Sequence, residues 1–202
     1  MKNRMKFVLG VAGLILSVSS VSAQSEMAEA QSDRNAFVFG GRYTSQYIEH
    51  ALNPFTVAYE NNYVLGLGYQ QFFLGDDGGL KLGAELGAAI RMGNQTSTEL
   101  WAGPVLRADG LIETDYVRIS LSVTAGLSLT SDTIGIEAQR ERETNGDTTL
   151  LYYLGPEISI ASTDNPYLEF FWRLHHRSGG GGTLGGLRDG ANATALGVRF
   201  KF

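Results

Sequence analysis

The chain has 202 residues, with 26 glycines, 4 prolines, no cysteine and a formal net charge of −5. Glycine stands at nearly twice its usual share of roughly 7%, but no Gly-X-Y period accompanies it, which excludes both a collagen and a proline-rich disordered chain. The acidic balance argues against a nucleic-acid-binding protein, which needs a basic face. Without cysteine there is no disulfide scaffold, thiolate metal site or cysteine nucleophile.

The N-terminus has the pattern of an export signal. Three basic residues precede an apolar run over 7–18, and small residues then lead to Ala23. The run is too short for a membrane-spanning helix, and this order of basic, apolar and small residues is typical of a secretory signal peptide. We predict a signal peptide over 1–23 and a short periplasmic segment over 24–35.

From residue 36 onward, apolar residues alternate with polar residues or glycine. The clearest case is 116–129, where every odd position from Val117 to Leu129 is valine, isoleucine, leucine or alanine. Period-two alternation predicts β-strands. We count eight such strands, over 36–47, 61–74, 79–91, 97–108, 114–129, 148–161, 166–178 and 190–202.

The lengths of these strands and of their connections indicate a membrane barrel. A tilted transmembrane strand needs about 9–11 residues, and most of the predicted strands are longer. Short turns at one end and long loops at the other are typical of outer-membrane barrels. Tight turns are expected at 75–78, near 108–110 and at 163–166, and long polar loops at 48–60, 130–147 and 179–189.

The sequence therefore predicts an all-β fold, an eight-stranded antiparallel transmembrane β-barrel over 36–202, in the outer membrane of a Gram-negative cell. The final residue, Phe202, follows apolar residues at alternate positions. This ending resembles the last strand of outer-membrane proteins, which implies the barrel assembly machinery as a partner. A soluble lipocalin-like barrel is the alternative, and the oligomeric state stays open.

The distribution of charged and aromatic residues predicts which strand face lines the barrel. Charged residues share one face with many glycines, and in a narrow eight-stranded barrel such side chains pair inside the lumen, which argues against a porin. This inward set is Lys81, Glu85, Arg118, Glu157, Glu169, Arg173, Arg199 and Lys201. Aromatic residues near strand ends are expected at the membrane interfaces, namely Phe37, Tyr63, Trp101, Tyr116, Tyr152, Tyr167 and Phe202.

Three polar residues lie where the last two predicted strands should face lipid. The outward apolar series of the seventh strand ends at Leu174, and the same parity continues to His176 and Ser178, while Asn192 begins the outward face of the eighth strand. A serine, a histidine and an orienting side chain are the parts of a hydrolase nucleophile. The other interpretation is a polar strand end joined to a flexible glycine loop.

A run of glycines and a second histidine lie beside these three residues. Glycines at 179–182 follow the serine directly, and the backbone N–H groups of Gly179 and Gly181 could form an oxyanion hole. The adjacent His175 has the opposite parity, so we expect it in the lumen near Glu169 or Arg173.

The stretch 168–202 resembles the end of the lipid A 3-O-deacylase family (PagL-type, acyloxyacyl hydrolases). That family is an eight-stranded outer-membrane barrel with its active site outside the wall, and its pattern is H-x-S-N, a glycine two residues later and an acidic residue early in the final strand. The resemblance implies His176 as general base, Ser178 as nucleophile and Gly181 as the later glycine. Gly179 stands where the family has asparagine, and Asn192 where its glutamate is expected.

The function expected from this resemblance is removal of an ester-linked acyl chain from lipid A in lipopolysaccharide, with no cofactor, metal or nucleic acid. Asn192 would orient His176 without supplying a negative charge, and Asp189 in the preceding loop is a possible substitute acid. The alternative is a non-catalytic small barrel, serving adhesion or envelope integrity, that has lost the catalytic acid. The H-x-S face beside Asn192 favours the enzyme, and the missing acid favours the alternative.

Overall fold

The computed structural model describes residues 33–202, and the predicted signal peptide lies outside this range. Eight antiparallel strands follow one another around a closed barrel, which β1 completes by pairing with both β2 and β8. The predicted fold class is thereby confirmed. The strands are β1 (Arg34–Thr44), β2 (Tyr59–Leu74), β3 (Leu80–Met92), β4 (Thr96–Glu113), β5 (Val117–Thr130), β6 (Leu150–Ser162), β7 (Asn165–Ser178) and β8 (Ala191–Lys201).

Two helices lie in the connections. A short helix α1 (Ile48–Ala51) lies between β1 and β2, and α2 (Gly135–Thr144) lies between β5 and β6. Over residues 33–202 neither helix has the length and apolar character to cross a membrane. The sequence predicts only a polar loop where α2 forms, because the helix has no apolar stripe to reveal its period. Its buried residues are Glu137 and Arg140.

The connections agree with two of the three predicted turns, and the third is wrong. No turn forms near Ala108-Asp109-Gly110, because β4 continues to Glu113. The strand pairing instead shifts between Ala108 and Ile112, and Gly110 has a φ of 62°. An Asp-Gly pair within a strand therefore produces a β-bulge here, for which a glycine with positive φ is suited.

The strand faces are divided as the alternation predicts. On β3, Leu80 and Leu86 are 62% and 60% exposed, whereas Lys81 and Glu85 are 2% exposed. A soluble protein does not present a continuous exposed belt of leucines, so the outward face suits hydrocarbon. The predicted inward charged residues are buried or nearly so around the barrel.

Ion pairs fill the lumen. Arg173 contacts Glu85 and Glu157, each at 2.8 Å, while Arg199 contacts Glu157 at 2.6 Å and Glu169 at 3.0 Å. Each charge is thus shared between partners from different strands. Buried charges are tolerated when they are paired and hydrogen-bonded in this way.

Aromatic rings occupy the remaining lumen, and this corrects two of the predicted interface residues. Phe37 and Trp101 are 2% and 3% exposed and point inward. They fit because glycines on neighbouring strands lie under the rings: a Cβ at Gly68 would come within 2.2 Å of Phe37, and one at Gly87 within 2.1 Å of Trp101. Part of the glycine excess is therefore explained by lumen packing.

Replacing Arg173 with methionine should destabilise the barrel by about 3–5 kcal/mol, because it leaves the carboxylates of Glu85 and Glu157 buried with a lost partner. Denaturant unfolding in detergent, followed by heat-modifiable migration on gels, measures this change. Arg118→Met is the matched control, since Arg118 lies at the rim with a 16% exposed side chain and should cost less. Equal losses for the two variants would contradict a network centred on Arg173.

The long connections all emerge at one end of the barrel, the end where β1 and β7 finish and β8 begins. They cover 45–58, 131–149 and 179–190. At this end α1 packs against β8, so part of the outer wall is covered by protein. Leu174, which faces outward by its pairing, has no exposed surface, contrary to its predicted contact with lipid.

Candidate functional site

The pairing of β7 with β8 brings His176 and Asn192 side by side on the outer wall. The two residues are directly opposite each other in the ladder. The Nδ1 atom of His176 lies 2.5 Å from Oδ1 of Asn192. His176 is 4% exposed and Asn192 is fully buried, so this hydrogen bond is shielded from water and holds the imidazole in one orientation.

The neighbours of Asn192 determine which way its amide points. Its Nδ2 donates to the backbone oxygen of Gln46 at 3.0 Å and faces both carboxylate oxygens of Asp189 at 3.2 and 3.3 Å. All of these partners are acceptors, so the NH₂ group must face them and Oδ1 must face the histidine. It follows that Nδ1 of His176 carries the proton and Nε2 is left free to accept one.

Asp189 lies close to this pair although it comes from the loop before β8. Its Oδ1 atom is 3.7 Å from Nδ1 of His176, and its Oδ2 accepts from the backbone N–H of Ile48 at 3.0 Å. Asp189 is 4% exposed. A carboxylate therefore stands behind Asn192, within range of the imidazole, where sequence reasoning alone left its reach open.

Arg140 joins the loops around Asp189. Its Nη1 donates to the backbone oxygen of Gly190 at 2.8 Å and lies 3.5 Å from Oδ1 of Asp189, and its Nη2 donates to the backbone oxygen of Ser45 at 3.2 Å. The guanidinium carbon also lies 4.4 Å from the ring centroid of Tyr47. No sequence pattern singles out Arg140, since it belongs to the unpredicted helix α2.

A cavity of about 260 Å³ opens beside the histidine. Within the described chain no hydrogen bond joins Ser178 Oγ to His176 Nε2, although both residues line this cavity. Catalytic hydrogen bonds are often formed only when substrate is bound. The lining consists of Ile48, Glu49, His176, Ser178, Gly180, Gly181, Arg188 and Asp189.

The two predicted oxyanion-hole glycines have different surroundings. Gly179 is buried, and its carbonyl accepts from the backbone N–H of Leu184 at 2.9 Å and from Oγ1 of Thr183 at 3.1 Å. Gly181 lines the cavity with a φ of 74°, and its N–H makes only a long bond, 3.4 Å, to the carbonyl of Arg188. Gly181 therefore presents its N–H at the cavity, whereas Gly179 is not among the residues that line it.

His175 points into the lumen as its parity predicts, and its predicted neighbour Arg173 lies on the same strand face, where both residues contact the hydroxyl of Tyr153. The Nε2 atom of His175 lies 3.0 Å from Oε1 of Glu99, and its Nδ1 lies 3.2 Å from the hydroxyl of Tyr153. Glu99 comes from β4 across the narrow lumen, and Tyr153 comes from the adjacent strand β6. His175 has no exposed surface and belongs to the packed interior.

The closed sheet, the paired charges inside it and the apolar outward face define an eight-stranded antiparallel β-barrel of the outer-membrane type. No protein-family model matches the chain, and no curated protein is similar enough in sequence to match it. The similarity is to solved structures, at low identity, and concerns the fold.

Two solved outer-membrane barrels illustrate this similarity. The outer membrane enzyme PagL aligns over 83% of this chain and 99% of its own, with 16% identity and a TM-score of 0.53. Neisserial surface protein A aligns over 85% of this chain and 98% of its own, with 11% identity and a TM-score of 0.52. The fold is thus shared with a protein described as an enzyme and with one described as a surface protein.

Proposed function

We propose that this protein is an outer-membrane esterase that removes an ester-linked acyl chain from lipid A. The observation that carries the proposal is the cavity on the outer wall, which Ser178 and His176 both line and where the tautomer of His176 leaves Nε2 free. A serine beside a histidine with a fixed tautomer is the arrangement of acyl-transfer enzymes.

The proposed location is the outer membrane of a Gram-negative cell, reached after signal-peptide cleavage near Ala23. The exposed leucine belt supports it. The barrel assembly machinery would insert the chain there by recognising its last strand with Phe202. The start of β1 and the end of β8 lie at the short-turn side. Outer-membrane barrels have their short turns in the periplasm, so the long loops and the cavity would face outward. The cavity then opens at the depth of the outer-leaflet lipid headgroups.

The reaction proceeds in two acyl transfers. Nε2 of His176 takes the proton of Ser178 as Oγ attacks the ester carbonyl carbon, and the carbonyl oxygen becomes an oxyanion that the N–H of Gly181 stabilises. The ester C–O bond then breaks, and the imidazolium protonates the departing lipid alkoxide. Water, deprotonated by His176, attacks the acyl-serine, and the fatty acid leaves as Ser178 recovers its proton.

Asp189 takes the electrostatic role of the absent family acid. During each transfer a positive charge develops on His176, and a carboxylate nearby stabilises it. Asp189 lies 3.7 Å from the imidazole and contacts Asn192, which itself contacts the imidazole. Asn192 thus orients the ring while Asp189 supplies the charge, so a neutral residue at position 192 is compatible with activity.

Mass spectrometry of lipid A incubated with the purified protein in detergent tests this function. We expect the mass of one ester-linked acyl chain to be lost, and the fatty acid to appear. A lipid whose acyl chains are all amide-linked is the control and should remain intact. If the folded wild-type protein leaves lipid A unchanged in both detergent and bilayers, the non-catalytic barrel serving adhesion or envelope integrity replaces this proposal.

A further inference from the structure

Arg42 is an unusual residue on the membrane-facing wall. The outward positions of β1 are the even-numbered ones, as the exposed Val38 and its inward neighbours Phe37 and Phe39 show. The outward series of β1 contains two arginines, Arg34 at the short-turn rim and Arg42 near the long-loop end, and no other strand of the described barrel has an aspartate, glutamate, lysine or arginine in its outward series. A charge facing a bilayer is costly and usually indicates a functional site.

The guanidinium of Arg42 has no carboxylate partner within the described chain. Its Nε donates to the backbone oxygen of Glu60 at 2.6 Å, and its Nη2 donates to Oδ1 of Asn61 at 3.1 Å. These two bonds use two of the five N–H donors of an arginine. Nη1 makes no hydrogen bond within the described chain and is not buried, so a full positive charge and the two N–H groups of Nη1 are open to a ligand.

The pairing of the strands gives the position of this charge relative to the cavity. Across the outer wall, His176 is opposite Asn192, which is opposite Thr44, and Arg42 lies two residues before Thr44 on β1. Its side chain bonds residues 60 and 61 of β2, which lie between Tyr59 and Tyr63, the partners of Thr44 and Arg42. The guanidinium therefore reaches the depth of His176 but lies towards β2, about 10–15 Å away across two to three strand spacings of about 4.8 Å.

Two aromatic residues flank the guanidinium. Its central carbon lies 5.5 Å from the ring centroid of Tyr59 and 5.7 Å from that of Tyr63. Tyrosines concentrate at the membrane–water interface, and the stacking fixes the planar group at that level. The charge is thus held among lipid headgroups rather than in the hydrocarbon.

We infer that Arg42 binds a phosphate group on the headgroup of the lipid whose ester enters the cavity. Arginine matches phosphate because its planar fork can donate two parallel charged hydrogen bonds. Lipid A carries phosphates on the sugars that also bear its acyl esters, so one molecule can occupy both positions. The inference rests on the proposed function for the identity of the lipid, but phosphate binding itself requires no hydrolysis.

Binding is measured in the Ser178→Ala background, so that no substrate is consumed. Titration of the detergent-solubilised protein with phosphorylated lipid A should raise its unfolding temperature, and the same lipid freed of phosphate should bind about tenfold or more weakly. Adding Arg42→Gln should remove this difference. Arg34→Gln is the matched control, because it removes the same charge at the opposite end of β1. This variant should preserve the difference in binding between the two lipids.

Two further arms separate the possible outcomes. Arg42→Lys, which keeps the charge but not the planar fork, should retain part of the preference, and this shows that the loss in Arg42→Gln is not misfolding. Inorganic phosphate alone should have no effect at the lipid concentrations used, and stabilisation by it would overturn the lipid assignment. Equal binding of both lipids by the Ser178→Ala protein, or an unchanged preference in Arg42→Gln, would overturn the inference even if the wild type hydrolyses lipid A.

Discussion

Ser178→Ala is expected to reduce release of acyl chains from lipid A by at least about a thousandfold. The substitution removes the attacking oxygen and leaves the barrel intact, since the side chain of Ser178 makes no hydrogen bond within the described chain. Release of fatty acid and the mass of the remaining lipid are measured together. His176→Ala should be about as damaging, because nucleophile and base act as one unit and their losses do not add.

Thr98→Ala is the matched control for the loss of the serine hydroxyl. Thr98 also lies on the outward face near the long-loop end, on β4, away from the cavity. Its replacement should leave the rate unchanged. If Ser178→Ala retains wild-type release while the Thr98 variant does too, another group carries the hydrolysis and the assignment of Ser178 is wrong.

The strand faces were predictable because a β-barrel translates parity directly into location. One residue out of phase changes side, so the alternation from Leu80 to Ile90 suffices to separate lumen from lipid on β3. The same rule brings His176 and Asn192 to one face, since both belong to the outward series of adjacent strands. Local pattern and site geometry coincide here.

The alternation of residues does not predict where a strand ends or which surroundings its end residues have. The Asp-Gly pair at 109–110 has the composition of a turn. The carboxylate of Asp109 instead pairs with Arg107 and Arg118 in the lumen, and β4 continues to Glu113. Phe37 lies near a strand end, yet its inward parity and the space above Gly68 draw it inside. The surroundings of an aromatic residue are therefore predicted better by the strand face on which it lies than by its position along the strand.

The groups behind the histidine could not be predicted from spacing. Asp189 approaches Asn192 because its loop is held by the backbone of Ile48 and by Arg140. Both of these residues are far from Asp189 in the sequence. Arg140 comes from a helix whose polar sequence carries no period. A site assembled from three loops depends on tertiary contacts, which no local pattern encodes.

Asp189→Asn is expected to lower the turnover rate of lipid A by about tenfold to a thousandfold with little change in KM. The substitution is nearly isosteric and retains a carbonyl oxygen for the backbone N–H of Ile48. What it removes is the negative charge 3.7 Å from the imidazole, which matters when His176 becomes positive in the transition state. A purely structural role would instead appear as lost folding or weaker binding.

Moving the carboxylate from position 189 to position 192 tests whether its negative charge, rather than its exact position, assists the reaction. In the wild-type protein Nδ2 of Asn192 lies 3.2 Å from Oδ2 of Asp189. Asn192→Asp alone therefore places two carboxyl groups side by side, and two carboxyl groups this close do not both ionise. In the double variant Asp189→Asn/Asn192→Asp a single carboxylate contacts His176 directly, so part of the lost turnover should return. Recovery is incomplete because the carbonyl of Gln46 loses its donor. A double variant no faster than Asp189→Asn, with the fold retained, would mean that the charge near His176 does not assist the reaction.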